Sequence, residues 1–188
     1  MALSETLKKP VSGEELFKMG DIGRCELVKG EIKHMSPAGG RHGELTNWIG
    51  TLLANHVRPR KLGKVYGAET GFYTQRNPDT VRAPDAMFIS NERVERIGNP
   101  IKFLDVSPDL AVEVLSPDDT WTEVETKVEE YVQAGVRLIW ILDPDRRLVV
   151  IYRPSGERTQ RSESGLLSGE DILPEFSISV AQIFEEIA

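Results

Sequence analysis

Two acidic side chains stand where their surroundings call for apolar ones. Asp85 lies in the run Val81-Arg82-Ala83-Pro84-Asp85-Ala86-Met87-Phe88-Ile89, and Glu113 in Asp109-Leu110-Ala111-Val112-Glu113-Val114-Leu115. Residues two apart in an extended strand share a face, so Asp85 is expected beside Val81, Ala83, Met87 and Ile89, and Glu113 beside Ala111 and Leu115. Burying an unpaired carboxylate is costly, so each needs a cation, a proton or a metal. One reading gives each its own basic partner, for example Arg82 or Arg137, or a strand end that solvent reaches. The other places a divalent cation between them. Hard oxygen donors suit Mg²⁺ or Mn²⁺, and Mg²⁺ takes one or two protein carboxylates while keeping positions for water and substrate phosphate.

Hydrophobic periodicity lays out the elements that would carry these residues. Ser12, with Glu15 three positions on, has the pattern of a capping box for a short helix over 14–19. Residues 24–28 and 31–35 alternate around Lys29-Gly30 and predict an N-terminal β-hairpin. Between 41 and 58, Leu45, Trp48, Ile49, Leu52, Leu53, His56 and Val57 recur at helical spacing, predicting one long helix on a sheet. Its C-terminal side is basic, with Arg58, Arg60, Lys61 and Lys64. Strands over 64–74 and 81–90 follow, separated by Asn77-Pro78-Asp79, and then a Gly-, Pro- and charge-rich connection to 108.

Residues 109–115 are apolar on both faces apart from Glu113, as in a central strand covered on both sides. Residues 116–119 break that strand and are expected to cap a helix over 119–134 that Gly135 closes. A buried strand over 136–143 completes a βαβ unit, so a partly parallel sheet is predicted. An antiparallel strand over 148–153, a hairpin or loop over 156–164 and an amphipathic helix over 179–187, with Val180, Ile183, Phe184 and Ile187 on one side, end the chain.

The 188 residues, 39% hydrophobic and 28% charged, fit one packed domain over 1–188. Cys25 is the single cysteine, which excludes an internal disulfide and suits the cytoplasm. The first 21 residues have no apolar core of a signal peptide, and no stretch is long and apolar enough to span a bilayer. The net charge of −7 argues against coating nucleic acid by bulk attraction, though not against an enzyme that meets it over a local patch. There is no P-loop, no GxGxxG after a strand and no GxSxG.

In order along the chain, ELVKGEI (26–32), His42, RAPDAMFI (82–89), PDLAVEVLSPDD (108–119) and KVEEYVQAGVRLIWILDP (127–144) resemble the PD-(D/E)XK nuclease superfamily, and within it the Uma-two branch of endonucleases. The resemblance covers nearly the whole chain. It implies an α/β fold, a restriction-endonuclease-like mixed sheet flanked by helices. It implies catalytic Asp85 and Glu113 as metal ligands, with Glu26, which matches the ELxxGE pattern, as a further catalytic carboxylate and ligand. It also implies Mg²⁺ or Mn²⁺ as cofactor, DNA as substrate and a homodimer.

The lysine of that superfamily, two residues after the glutamate, is replaced by Leu115. The resemblance suggests Lys127 of the following helix in its place. At about 100° per residue, Trp121, Val124, Val128, Tyr131 and Val132 form an apolar face with Lys127 at its edge, from which it can snorkel toward the strand. The competing readings pair Lys127 with Glu123 or Glu130, leave Glu26 to solvent, Arg24 or Lys33, and treat Tyr131 as core. His42 either touches phosphate or caps its helix. Arg41, Arg58, Arg60, Lys61 and Lys64 are candidates for nucleic-acid backbone contact, although cations at a helix C-terminus also complement its dipole. The function expected is metal-dependent hydrolysis of DNA phosphodiesters. The alternatives are a catalytically silent binding or regulatory module of the same fold and a metal-dependent nucleotide phosphohydrolase.

Overall fold

The computed structural model describes residues 9–98 and 101–185. Residues 1–8, which begin the stretch expected to lack an export signal, and Ile187 of the expected terminal helix lie outside the described residues.

Helix α1 (Gly13–Lys18) opens on the Ser12–Glu15 capping box, with both reciprocal hydrogen bonds formed. Strands β1 (Cys25–Val28) and β2 (Glu31–His34) pair antiparallel. They turn through Lys29 and Gly30, both at positive φ, which is the twist a two-residue hairpin requires and glycine adopts without strain. Helix α2 (Gly40–Arg60) buries Leu45, Ile49, Leu53 and Val57 along one stripe.

Four strands replace the two expected between 64 and 90: β3 (Gly63–Gly67), β4 (Phe72–Gln75), β5 (Thr80–Arg82) and β6 (Ala86–Ser90). The decisive break is at Pro84, which has no N–H to give a ladder and biases the residue before it to extended backbone. There the chain leaves one sheet and enters another. After α3 (Asn91–Val94), β7 (Leu110–Val114) and β8 (Leu138–Asp143) flank α4 (Trp121–Ala134). α4 starts two residues later than expected, because Thr120 and Glu123 form its capping box while Asp119 accepts the backbone N–H of Ser116. Strands β9 (Leu148–Tyr152) and β10 (Arg158–Ser162), a small pair β11 (Leu166–Ser168) and β12 (Ser177–Ser179), and α5 (Val180–Phe184) follow.

The larger sheet runs β10-β9-β8-β7-β6-β3, with β7 and β8 parallel as the βαβ pattern requires and the other pairs antiparallel. The smaller sheet runs β2-β1-β5-β4. α2 and α5 cover one face of the larger sheet through Leu45, Ile49, Val112, Trp140 and Phe184. α4 covers the other through Val124, Val128 and Tyr131 on Ala111, Ile139 and Ile141. A third, small core of Leu16, Leu27 and Val81 joins α1 to the smaller sheet. This is a mixed α/β fold with a large mixed sheet flanked by helices.

Candidate active site

The two carboxylates meet because β6 and β7 are neighbours. Ala86 pairs with Val112, so one step back along β6 brings Asp85 across from Glu113. Asp85 is not in mid-strand, as the alternation suggested, but in the bend that Pro84 introduces ahead of β6. Its Oδ2 accepts the backbone N–H of Val114 at 2.8 Å. His42, from the first turn of α2, places Nε2 3.3 Å from the same oxygen, and the Arg24 guanidinium lies 3.8 Å from Oδ1. The hydrogen bond to Asp85 raises the His42 pKa, against the opposing effect of burial. His42 does not cap α2, whose N-cap is Gly39.

Glu113 is held from the other side by α4. Lys127 Nζ lies 3.3 Å from Oε2, and the Tyr131 hydroxyl donates to Oε1. Burial pushes the Glu113 carboxyl up to about 7; the Asp85 and Glu26 carboxylates add to the shift, and Lys127 and Tyr131 oppose it. Burial by itself would lower the Lys127 pKa, but Glu113 and Glu26 outweigh it and hold the ammonium above its ordinary value. Neither Arg82 nor Arg137 pairs with these two acids: Arg137 bonds Asp109 and Asp171. Tyr131 is core, as its spacing indicated, yet its hydroxyl touches the site. That contact is one role the sequence reading missed, with a lone hydroxyl on the apolar face of α4 as the available signal; the Arg24 guanidinium beside Asp85 is another.

Glu26 is buried, which its hairpin setting did not suggest. It pairs with Arg82 at 2.7 Å, accepts the Ala83 N–H at 3.1 Å and stands 3.9 Å from Lys127; Lys33 bonds Glu31 instead of Glu26. Arg82 also grips Glu130 of α4 through two bonds, of 2.6 and 3.1 Å. Glu130 is therefore engaged by Arg82, and Lys127 turns to Glu113 and Glu26.

The basic candidates divide. Arg41 bonds Asp145 and the Pro144 carbonyl near the start of α2. Arg58, Arg60 and Lys61 lie at its far end, about 25 Å from His42 at roughly 1.5 Å per helical residue. They are not beside the carboxylates, because the helix whose C-terminus they decorate points its N-terminus at the site. Arg60 lies 3.9 Å from Glu175. Beside Glu113 a cavity of about 390 Å³ opens between the hairpin and α4, lined by Lys33, Arg82, Leu115, Lys127 and Tyr131 among others.

Among the described residues no three His, Cys, Asp or Glu side chains form a group able to hold a metal ion. The expected third ligand, Glu26, has its oxygens engaged by Arg82 and Ala83. The oxygens of Asp85 and Glu113 are held as well, by Val114, His42 and Arg24 and by Lys127 and Tyr131, but these two carboxylates stand across from each other on neighbouring strands, and a hard divalent cation would relieve their mutual repulsion. That donor chemistry fits Mg²⁺ or Mn²⁺ bound by two carboxylates, with water and substrate completing the shell.

The family model described as "Uma2: Putative restriction endonuclease" matches residues 14–181. The chain belongs to the Uma2 family. A crystal structure described as "a putative nuclease belonging to DUF820 from Anabaena variabilis" superposes with a TM-score of 0.81 at 20% identity, covering 95% of this chain and 100% of that one. At that identity the likeness shows the fold. No curated protein matches the chain. In this Uma2 chain the position two after Glu113, just past the end of β7, is Leu115, packed at the edge of the α4 core, and the ammonium beside the glutamate arrives from α4 instead. No helix among the described residues is long and apolar enough to cross a membrane.

Proposed function

We propose that this Uma2 chain is a divalent-metal-dependent endonuclease that hydrolyses DNA phosphodiesters at the Asp85–Glu113 pair. The observation that carries the reading is the convergence of a buried carboxylate, Asp85, and a part-buried one, Glu113, from neighbouring strands with a lysine ammonium 3.3 Å from the second. A bound Mg²⁺ or Mn²⁺ supplies polarisation of a phosphoryl oxygen and a water of lowered pKa. Asp85 and Glu113 would hold it. Lys127, kept charged by its acidic neighbours, offsets negative charge growing on the phosphate or orients the attacking water. Tyr131 fixes one Glu113 oxygen, and His42 with the Val114 N–H fixes Asp85, so both carboxylates are oriented before substrate arrives. Arg41, at the His42 end of α2, is the basic candidate nearest the site. Family resemblance extends the reading to a homodimer, and the single cysteine, Cys25, to the cytoplasm.

The test is nicking of supercoiled DNA by purified protein with Mn²⁺ or Mg²⁺. Wild type is expected to nick only with metal, and Glu113→Ala and Lys127→Ala to lose the activity. Equal nicking by all three overturns the reading. No nicking by wild type, with no heat of Mn²⁺ binding, favours the silent module; cleavage of a mononucleotide ester as readily as DNA favours the phosphohydrolase.

A further inference from the structure

Lys127 has two carboxylates within reach, Glu113 at 3.3 Å and Glu26 at 3.9 Å. Which one it serves depends on how well each is already satisfied. Glu26 is 5% exposed, and a buried carboxylate without a cation draws any ammonium nearby. Its nearer cation is Arg82, Nη1 to Oε2 at 2.7 Å, and Lys127 stays at the longer distance. The same guanidinium turns its other edge to Glu130, Nε to Oε2 at 2.6 Å and Nη2 to Oε1 at 3.1 Å. Glu130 lies three residues after Lys127 on α4, so both side chains leave the same side of the helix. One planar group thereby joins β1, β5 and α4.

Resting on the nuclease reading above, we propose that Arg82 is a positioning residue. By neutralising Glu26 and gripping Glu130 it leaves Lys127 to Glu113 and fixes the height and rotation of α4 at which Nζ reaches that carboxylate. A lysine carried on the same strand as the glutamate would need no such device, since two strand residues two apart are neighbours by construction. A lysine carried on a separate helix needs the helix held. Arginine suits this, because its rigid fork serves two carboxylates at once while an ammonium is a single point charge.

The proposal makes Glu26 the competitor for Lys127, and this separates it from a merely structural role for Arg82. Arg82→Met releases Glu26 and draws Lys127 away from Glu113. Arg82→Met combined with Glu26→Gln removes the competitor as well. In Mn²⁺-dependent nicking, Arg82→Met is expected to lose about tenfold or more in kcat with KM within about twofold, and the double variant to recover most of the loss. Arg82→Lys, which keeps a cation for Glu26 but not the fork, serves if the methionine variant does not fold, and is expected to fall between wild type and that variant. The Lys127 ammonium signal in ¹H–¹⁵N NMR, assigned by its absence in Lys127→Arg, reads the same rearrangement without catalysis. It is expected to move in Arg82→Met or Arg82→Lys and to return toward its wild-type position when Glu26→Gln is added. Absence of nicking in wild type would end the nuclease reading while the ammonium signal still decides the clamp. A Lys127 signal unmoved by Arg82 substitution, or a double variant no better than the single in both readouts, overturns the proposal.

Discussion

Asp85 accepts the backbone N–H of Val114 at 2.8 Å, so the carboxylate that follows Pro84 is tied to the strand that carries Glu113. Replacing Asp85 with alanine leaves that buried N–H unsatisfied, at about 1–3 kcal/mol, while Asp85→Asn keeps an acceptor of the same shape. In urea unfolding without metal, the alanine variant is expected to be the less stable of the two. Calorimetry should show neither binding Mn²⁺. Equal unfolding midpoints would mean that the Val114 contact contributes little.

Lys127→Ala is expected to lower metal-dependent nicking by about 100-fold, the usual scale for removing one donor that meets charge in a transition state. Because Lys127 opposes the upward shift of Glu113, its removal should also move the alkaline rise of the pH–rate profile to higher pH. A profile that keeps its midpoint would separate Lys127 from Glu113.

The raised carboxyl of Glu113 makes the metal-free protein lose stability as pH rises. Its folded pKa of about 7 lies above the ordinary 4.5, so the folded chain holds a proton that the unfolded chain has released. The contribution is full below pH 4.5 and is lost as pH passes 7, amounting to about 3 kcal/mol for a shift of this size. Glu113→Gln should show no such decline from this site. Parallel stability curves for the two proteins between pH 4.5 and 8 would contradict the assignment.

Tyr131→Phe keeps the ring that packs 5.6 Å from Phe72 and removes only the hydroxyl that donates to Glu113. A bond to an ionised group contributes about 1.5–3 kcal/mol, so the loss should be larger at pH 8.5 than at pH 5. Denaturant titrations at the two pH values measure the difference. An equal loss at both would assign the hydroxyl a packing role alone.

Leu115 lines the cavity beside Glu113 and lies two residues after it, one residue past the end of β7. Leu115→Lys in a Lys127→Ala background brings an ammonium to Glu113 from the chain leaving β7, and nicking should rise above that of Lys127→Ala alone. No recovery in a folded double variant would mean that the approach from α4 is required.

The hairpin, the long stripe of α2 and the βαβ unit were legible because each is written in local periodicity: Leu45, Ile49, Leu53 and Val57 in α2, and the unbroken apolar run of β8. The pairing of Asp85 with Glu113 was legible as two charges out of place. What the pattern hid was long-range. Residues 81–90 alternate as one strand would, yet Pro84 sends the two halves into different sheets, and only the fold shows it. Arg82 looked like a partner for Asp85 by proximity in sequence; its partners are Glu26 and Glu130, 56 and 48 residues away. Thr120, and not residues 116–119, caps α4 because its hydroxyl meets a glutamate three residues on, a pattern present in the sequence just past the expected cap.

The break at Pro84 is also expected to divide the molecule's cooperativity. The hairpin and β5 rest on a core of Leu16, Leu27 and Val81, whereas the larger sheet is clad on both faces. Amide exchange should therefore open the hairpin and β5 before β7 and β8. In that partly open state Asp85 and Glu113 would stay assembled on the larger sheet while Glu26 and Arg82 depart, so the carboxylate pair would outlive its cover.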